Sequence, residues 1–240
     1  MEKQLIEPIK SLRSLVPVGM RHAQTLLEKT SGNIDAAADM FKHELIHLLM
    51  SSSDLSADRA REYLQHAGYE MHLALQAIEH DRFTLTERIL NKNHRDKNRA
   101  IGLIAHAIET TENLTRNYWL SFDDLQRLPA ELRCLMAIYE WTNYEEWEDF
   151  DSALYFHLEQ VTQQLNFLQL TELASHLQLA HQRQLHLTAQ HADKDWIAIN
   201  ALIRQDKVFS QSSDFYLQHK QTIDDALYGL AQNNIDKFPR

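Results

Sequence analysis

A chain of 240 residues with a net charge of −10 is long enough for one large domain or two ordinary ones, each with a real core. Only 5 Gly and 4 Pro leave little material for hairpins, and the single cysteine, Cys134, excludes an internal disulfide and suits a reducing compartment. No uninterrupted apolar run approaches a membrane span, and the opening MEKQLIEPIK lacks the apolar centre of a secretion signal, so the expectation is an all-α, cytoplasmic protein with no membrane contact.

Apolar spacing predicts a first helix from about Lys3 to Leu15, with Ile6, Ile9, Leu12 and Leu15 on one face and Pro17 as its stop. A second helix starts near Gly19 and is expected to bury Met20, Ala23 and Leu27, with Gly32 supplying the left-handed turn that ends it. Asn33 is placed to cap a third, in which Ile34, Ala37, Phe41 and Leu45 recur at helical spacing. The pattern returns at an offset of 37 residues: Leu12 meets Leu49, Ala23 meets Ala60, Leu27 meets Leu64, Ala37 meets Ala74 and Phe41 meets Ile78. A degenerate second unit that shares the end of the third helix is therefore expected. Its helices would be Ala57–Ala67, capped by Ser56, and Glu70–His80, with Phe83–Leu90 after them, giving a tandem helical region over residues 1–90.

The stretch NKNHRDKNR, residues 91–99, reads as a basic polar linker, and the absence of aromatic residues beside its bases argues against nucleic-acid binding. Charge then changes along the chain: residues 1–100 carry 14 acids and 14 bases, while residues 101–240 carry 20 acids and 10 bases. Residues 100–240 are thus expected to form an acidic all-helical domain. Its predicted helices are Ala100–Leu114, Pro129–Glu140, Tyr144 to about Leu170, Thr171–Gln190, Asp193–Gln205 and Ser213–Asn233, with core markers at Leu173, Leu177, Trp196, Ile199, Ile223 and Leu227.

Within residues 9–41, Leu12–Arg13, Gly19–Met20, Gly32–Asn33–Ile34 and Ala37 keep a fixed spacing. This stretch resembles the N-terminal ubiquitin-associated-like (UBA-like) domain of translation elongation factor Ts. The resemblance implies a three-helix docking module without chemistry of its own. It does not imply nucleotide exchange, because the Thr-Asp-Phe-Val motif of that family does not occur; the nearest string is Ser121–Phe122–Asp123–Asp124. The contacts it implies are Val18, Gly19 and Met20, with Leu48 and Leu49 near the end of the third helix. A weaker resemblance over residues 121–236, carried by Phe122–Asp123–Asp124–Leu125, Leu128–Pro129, Leu132–Arg133 and Tyr155–Phe156–His157–Leu158, is to a bacterial all-helical family that includes a DNA-mimic protein. That likeness implies carboxylates placed like phosphates and inhibition of a nucleic-acid-binding protein.

The string His43–Glu44–Leu45–Ile46–His47 matches HExxH on a predicted helix. Histidines four apart share a face and can hold zinc, and the glutamate can act as general base on a zinc-bound water. The following residues, Leu48–Leu49–Met50–Ser51, supply neither the Gly nor the third His of the extended motif. No phosphate-binding Gly-rich loop, CxxC pair or Gly-x-Ser-x-Gly elbow is present.

From Cys134 to Gln182 there is no Lys or Arg, and acids gather with aromatics between Glu140 and Asp151. Glu145, Glu146, Glu148 and Asp149 are expected to dominate a surface that attracts a basic partner and repels DNA. The resulting expectation is a non-catalytic interaction protein that docks one protein through its N-terminal unit and a basic one through its acidic domain. The alternatives are a zinc hydrolase using His43, Glu44 and His47, and a DNA-mimic inhibitor.

Overall fold

The computed structural model describes residues 2–240, and side chains from residue 6 onward. The chain divides into two compact units, residues 1–83 and 84–240. Both are built from α-helices; strand pairing among the described residues is confined to β1 (Arg116–Asn117) and β2 (Trp119–Leu120). The division falls before the basic stretch expected to be the linker. Thr84 opens a helix with a capping box closed by Glu87, and Leu90 is buried in the second core. The polarity of residues 91–99 is that of an exposed turn between two helices of one unit.

The first unit contains α1 (Glu2–Leu15), α2 (Met20–Lys29), α3 (Ile34–Ser53), α4 (Ala57–His66) and α5 (Met71–Arg82). Its core is Leu12, Ala23, Leu26, Leu27, Ala37, Phe41, Leu49, Ala60, Leu64, Ala74 and Ile78, with neighbours of the same kind. The 37-residue sequence offset is also a structural offset. α2 and α4 start at Met20 and Ala57, and α3 and α5 start at Ile34 and Met71. Both helix-to-helix turns use two left-handed residues, Ser31–Gly32 and Gly68–Tyr69. In both, a backbone N–H closes on the helix behind it at 2.7 Å, Gly32 to Leu27 and Tyr69 to Leu64. Tyr69, not Gly68, therefore stands where Gly32 stands in the first copy. Asn33 and Ser56 cap α3 and α4 through their side chains, as their positions suggest. Ile6, Leu15 and Met20 do not join the core: all three are exposed, and Leu12 and Val16 carry the inward face of this region.

The second unit contains α6 (Leu85–Lys92), α7 (Lys97–Thr111), α8 (Phe122–Leu125), α9 (Ala130–Glu148), α10 (Phe150–Ala153), α11 (Leu158–Phe167), α12 (Thr171–Gln190), α13 (Trp196–Gln205) and α14 (Lys207–Asn233), then a 3₁₀ turn at Ile235–Lys237. α12 and α14 pack on each other, α11 lies on α9 and α12, and α7 lies on α9 and α14. Leu135, Ile138, Trp141, Leu177, Ile203, Tyr216 and Leu227 are among the residues they enclose. Trp196, expected in the core, opens α13 at the surface instead. Several expected boundaries differ, among them the start of α14, which lies at Lys207 and not at Ser213. α9 runs unbroken through Glu148, because Trp141 and Glu145 continue the buried face that Leu135 and Ile138 begin. The single helix expected from Tyr144 to Leu170 is broken at Asp149 and again at His157, both at positive φ.

Candidate functional site

The Gly19–Met20 corner is built by the helices around it. Leu12 is fully buried, and the adjacent Arg13 donates from Nε to the Val18 carbonyl at 3.2 Å, which pins the loop that leads into α2. Val18 turns inward and Leu49 is fully buried, so neither is available as a contact. Met20 stands out with 67% of its surface exposed, and Leu48 with 58%. Gly19 is exposed at the N-cap of α2, with φ −69° and open space where a Cβ would sit. Neither backbone conformation nor crowding requires glycine there.

The histidine-glutamate string lies on α3. His43 and His47 are exposed, and the His43 Nδ1 meets the Asp39 carbonyl at 2.7 Å. Glu44 is taken by His22, whose Nε2 lies 2.7 Å from its carboxylate. No third ligand completes the pair: no group of three or more His, Cys, Asp or Glu suited to a metal is found among the described residues.

The acidic stretch is largely compensated from within. Glu140, fully buried, accepts two bonds from the Arg116 guanidinium at 2.7 and 3.0 Å and one from the Leu120 N–H at 3.0 Å. Arg116 also meets Glu109. Burial works against the Arg116 charge, and the bonds to Glu140 and Glu109 outweigh it, so the guanidinium is held charged above its ordinary value. Glu145 is buried, where it accepts from the Tyr216 hydroxyl at 2.9 Å and from Lys220 at 2.7 Å; Lys220 also reaches Glu146 at 3.0 Å. Burial and then the Glu145 charge push the Tyr216 phenol above its ordinary value. Of the four acids expected to dominate an exposed patch, Glu145 is thus a packing element, and Glu146 and Asp149 have basic neighbours. The cause is distance in sequence: Lys220 and Arg204 come from helices far along the chain.

Two clefts open around Tyr155. The larger, about 510 Å³, lies between α11 and α12 and is lined by His157, His181, Glu159 and Gln178. His157 stacks on Phe122 at 4.1 Å, and His181 meets the Tyr155 ring edge-on at 5.2 Å. Burial depresses both imidazoles, opposed at His157 by Asp123. The second cleft, about 370 Å³, is lined by Tyr144, Asp149, Asp151, Gln184, Trp196 and Arg204, with Asn200 beside them. Arg204 stands 3.2 Å from Asp151 and 3.6 Å from Asp149. Sequence reading missed this cleft because its walls come from α9, α10, α12 and α13. One signal was present: Gln184 interrupts the apolar stripe Leu173, Leu177, Ala180 and Leu187.

With this geometry in place, comparison with known proteins gives the lineage. A family described as the YfbN C-terminal domain matches residues 84–236. A protein of Escherichia coli (strain K12), described as uncharacterized protein YfbN, is 35% identical over 234 residues, spanning 98% of this chain and 95% of its own. The chain belongs to the YfbN family. No solved structure matches it. The YfbN domain match begins at the first residue of the second unit and contains both clefts. The Gly19–Met20 corner lies outside that domain but within the stretch shared with the YfbN relative, which leaves out only 2% of this chain. Among the described residues, no helix is long and apolar enough to cross a membrane.

Proposed function

We propose that the protein is a non-catalytic, cytoplasmic interaction protein whose first unit is a UBA-like docking module. The observation that carries this reading is the Gly19–Met20 corner. The matching positions of the second copy are Ser56 and Ala57, where serine caps α4 in the ordinary way and no methionine projects. The first copy gives up a side-chain cap and exposes a large apolar residue, and nothing in the fold asks for either. A glycine beside a projecting methionine lets a partner approach the backbone closely while burying an apolar anchor. The resemblance of residues 9–41 to the N-terminal domain of elongation factor Ts supports the same corner. The partner is a protein with an apolar recess for Met20, with Leu48 as a neighbouring contact.

The test is capture from a lysate of the source cells by the full chain and by a Gly19→Ser/Met20→Lys variant. Both residues are exposed, so the variant should melt within a few degrees of the parent. The parent is expected to retain a partner that the variant loses. An unchanged set of captured proteins in a stably folded variant would overturn the reading. The competing zinc hydrolase at His43, Glu44 and His47 is separated by metal analysis of tag-free protein. Stoichiometric zinc that disappears in a His43→Ala/His47→Ala variant would favour it over docking.

A further inference from the structure

Two buried acceptors in the second cleft have no donor. Gln184 is 1% exposed, and its Nε2 donates to the Asp151 carbonyl at 3.1 Å. That bond fixes the amide: turned over, it would set oxygen against oxygen. The Oε1 atom is left without a partner among the described residues, and so is the buried Oδ1 of Asn200. Buried acceptors without donors are uncommon in folded proteins and require a reason. The same cleft holds two carboxylates, Asp149 and Asp151, served by one cation, Arg204, whose side chain is 65% exposed. Asp149 has φ +108° and ψ 168°, a backbone region that is essentially glycine's. Its Oδ1 caps α10 at the Ser152 N–H, which leaves Oδ2 toward Arg204. At the rim, Trp196 is 56% exposed.

We propose that this cleft binds a guanidinium group, the head of an arginine. The Gln184 oxygen is a free acceptor, and two carboxylates share one cation, so the ligand is a cation rich in N–H donors. A bare metal ion does not fit, because both carboxylates are already tied to a guanidinium and no group of three or more His, Cys, Asp or Glu suited to a metal occurs among the described residues. A guanidinium offers five donors in one plane, pairs two-pronged with carboxylates and stacks on indole, whereas an ammonium offers three donors on a point charge. Arg204 already shows the chemistry: its guanidinium lies against the two aspartates at the open side of the cleft and would be displaced outward by the incoming one. A cleft of about 370 Å³ lies within the size range of small-ligand sites. This inference is independent of the Gly19–Met20 docking surface.

The experiment is calorimetric titration of the full-length protein with free L-arginine, free L-lysine and the blocked peptide acetyl-Gly-Arg-Gly-amide. Saturable binding is expected for at least one arginine probe, about tenfold tighter than for lysine, since two-pronged pairing is lost with lysine. Trp196→Ala and Asp151→Asn should each weaken it by about tenfold, and Arg204→Gln should tighten it by a similar factor by removing the internal competitor. Trp196 lies outside the core, so its variant keeps the test valid should Asp151→Asn fail to fold. Binding of the free amino acid alone assigns the site to a small molecule. Binding of the blocked peptide, with equal or weaker binding of the free form, assigns it to an arginine displayed by a protein. The absence of heat with both arginine probes, equal affinity for lysine, or indifference to Trp196→Ala and Arg204→Gln each overturns the proposal.

Discussion

At Glu140 a carboxylate is fully buried, and only its bonds to Arg116 and to the Leu120 N–H offset the cost of taking it out of water. The two partners are not equivalent, because Arg116 keeps about a third of its side chain in solvent and also meets Glu109. Removing Arg116 strands a buried charge. Removing Glu140 strands a cation that has a second partner and water. Arg116→Met should therefore cost about 3–5 kcal/mol and Glu140→Met nearer 3 kcal/mol, with the double variant costing much less than their sum. Urea denaturation of the three variants checks this, and additive losses would show that the pair is not coupled. The same pair marks where sequence reading stopped. Glu140 was visible as the first member of an acid-rich run, and such runs face solvent more often than not. Its partner stands outside the run, and so does Lys220 for Glu145; charge pattern along the chain does not reveal pairs made across a core.

Elements were legible where the chain punctuates itself and illegible where it does not. α2 through α5 carry Gly19, Gly32, Asn33, Ser56 and Gly68 at their ends, and their predicted bounds agree with the structure to within a few residues. Between Gly102 and Gly229 there is no glycine, and Pro129 is the sole proline. The unforeseen breaks at Asp149 and His157 are made at positive φ, which local sequence does not announce, whereas the break at Gln169, also at positive φ, falls where one helix was expected to end and the next to begin. His157 opens α11 in this way, and with His181 it gives the second unit a sensitivity to acid. Both imidazoles are depressed in the fold by burial, so the unfolded chain takes up protons first as pH falls. Their contribution to stability is full above the ordinary imidazole value of about 6.5 and is lost as pH drops through the depressed native values. Asp206, held below its ordinary value chiefly by its hydrogen bonds from Arg183, adds its own loss only below about pH 4. Denaturation midpoints measured from pH 8 to pH 5 should fall toward acid, with a shallower slope in His181→Gln. A slope identical to the parent's would remove His181 from this account.

For the molecule as a whole, two separate cores mean two separable folding units. Among the described residues, the cluster around Leu12, Leu27 and Leu49 draws on residues before Phe83, and the cluster around Leu135, Leu177 and Tyr216 on residues after it. Residues 84–240 also close on themselves. The Thr86 N–H and hydroxyl both donate to the Pro239 carbonyl, at 3.2 and 2.8 Å, and the Phe238 ring is buried beside them. This clasp ties α6 to the segment after α14. Residues 84–240 expressed alone should therefore unfold in one cooperative transition, with helical circular dichroism close to that segment's share in the full chain. Cutting the fragment back to residue 237 removes the Phe238 ring and leaves the buried Thr86 donors without an acceptor. A lost core aromatic costs about 3–5 kcal/mol and an orphaned buried donor about 1–3 kcal/mol more. That sum is a large part of an ordinary domain's stability of about 5–15 kcal/mol, so the shortened fragment should melt many degrees lower or not fold at all. Equal melting of the two fragments would mean that the clasp is ornamental. A non-cooperative 84–240 fragment would mean that the second core depends on the first.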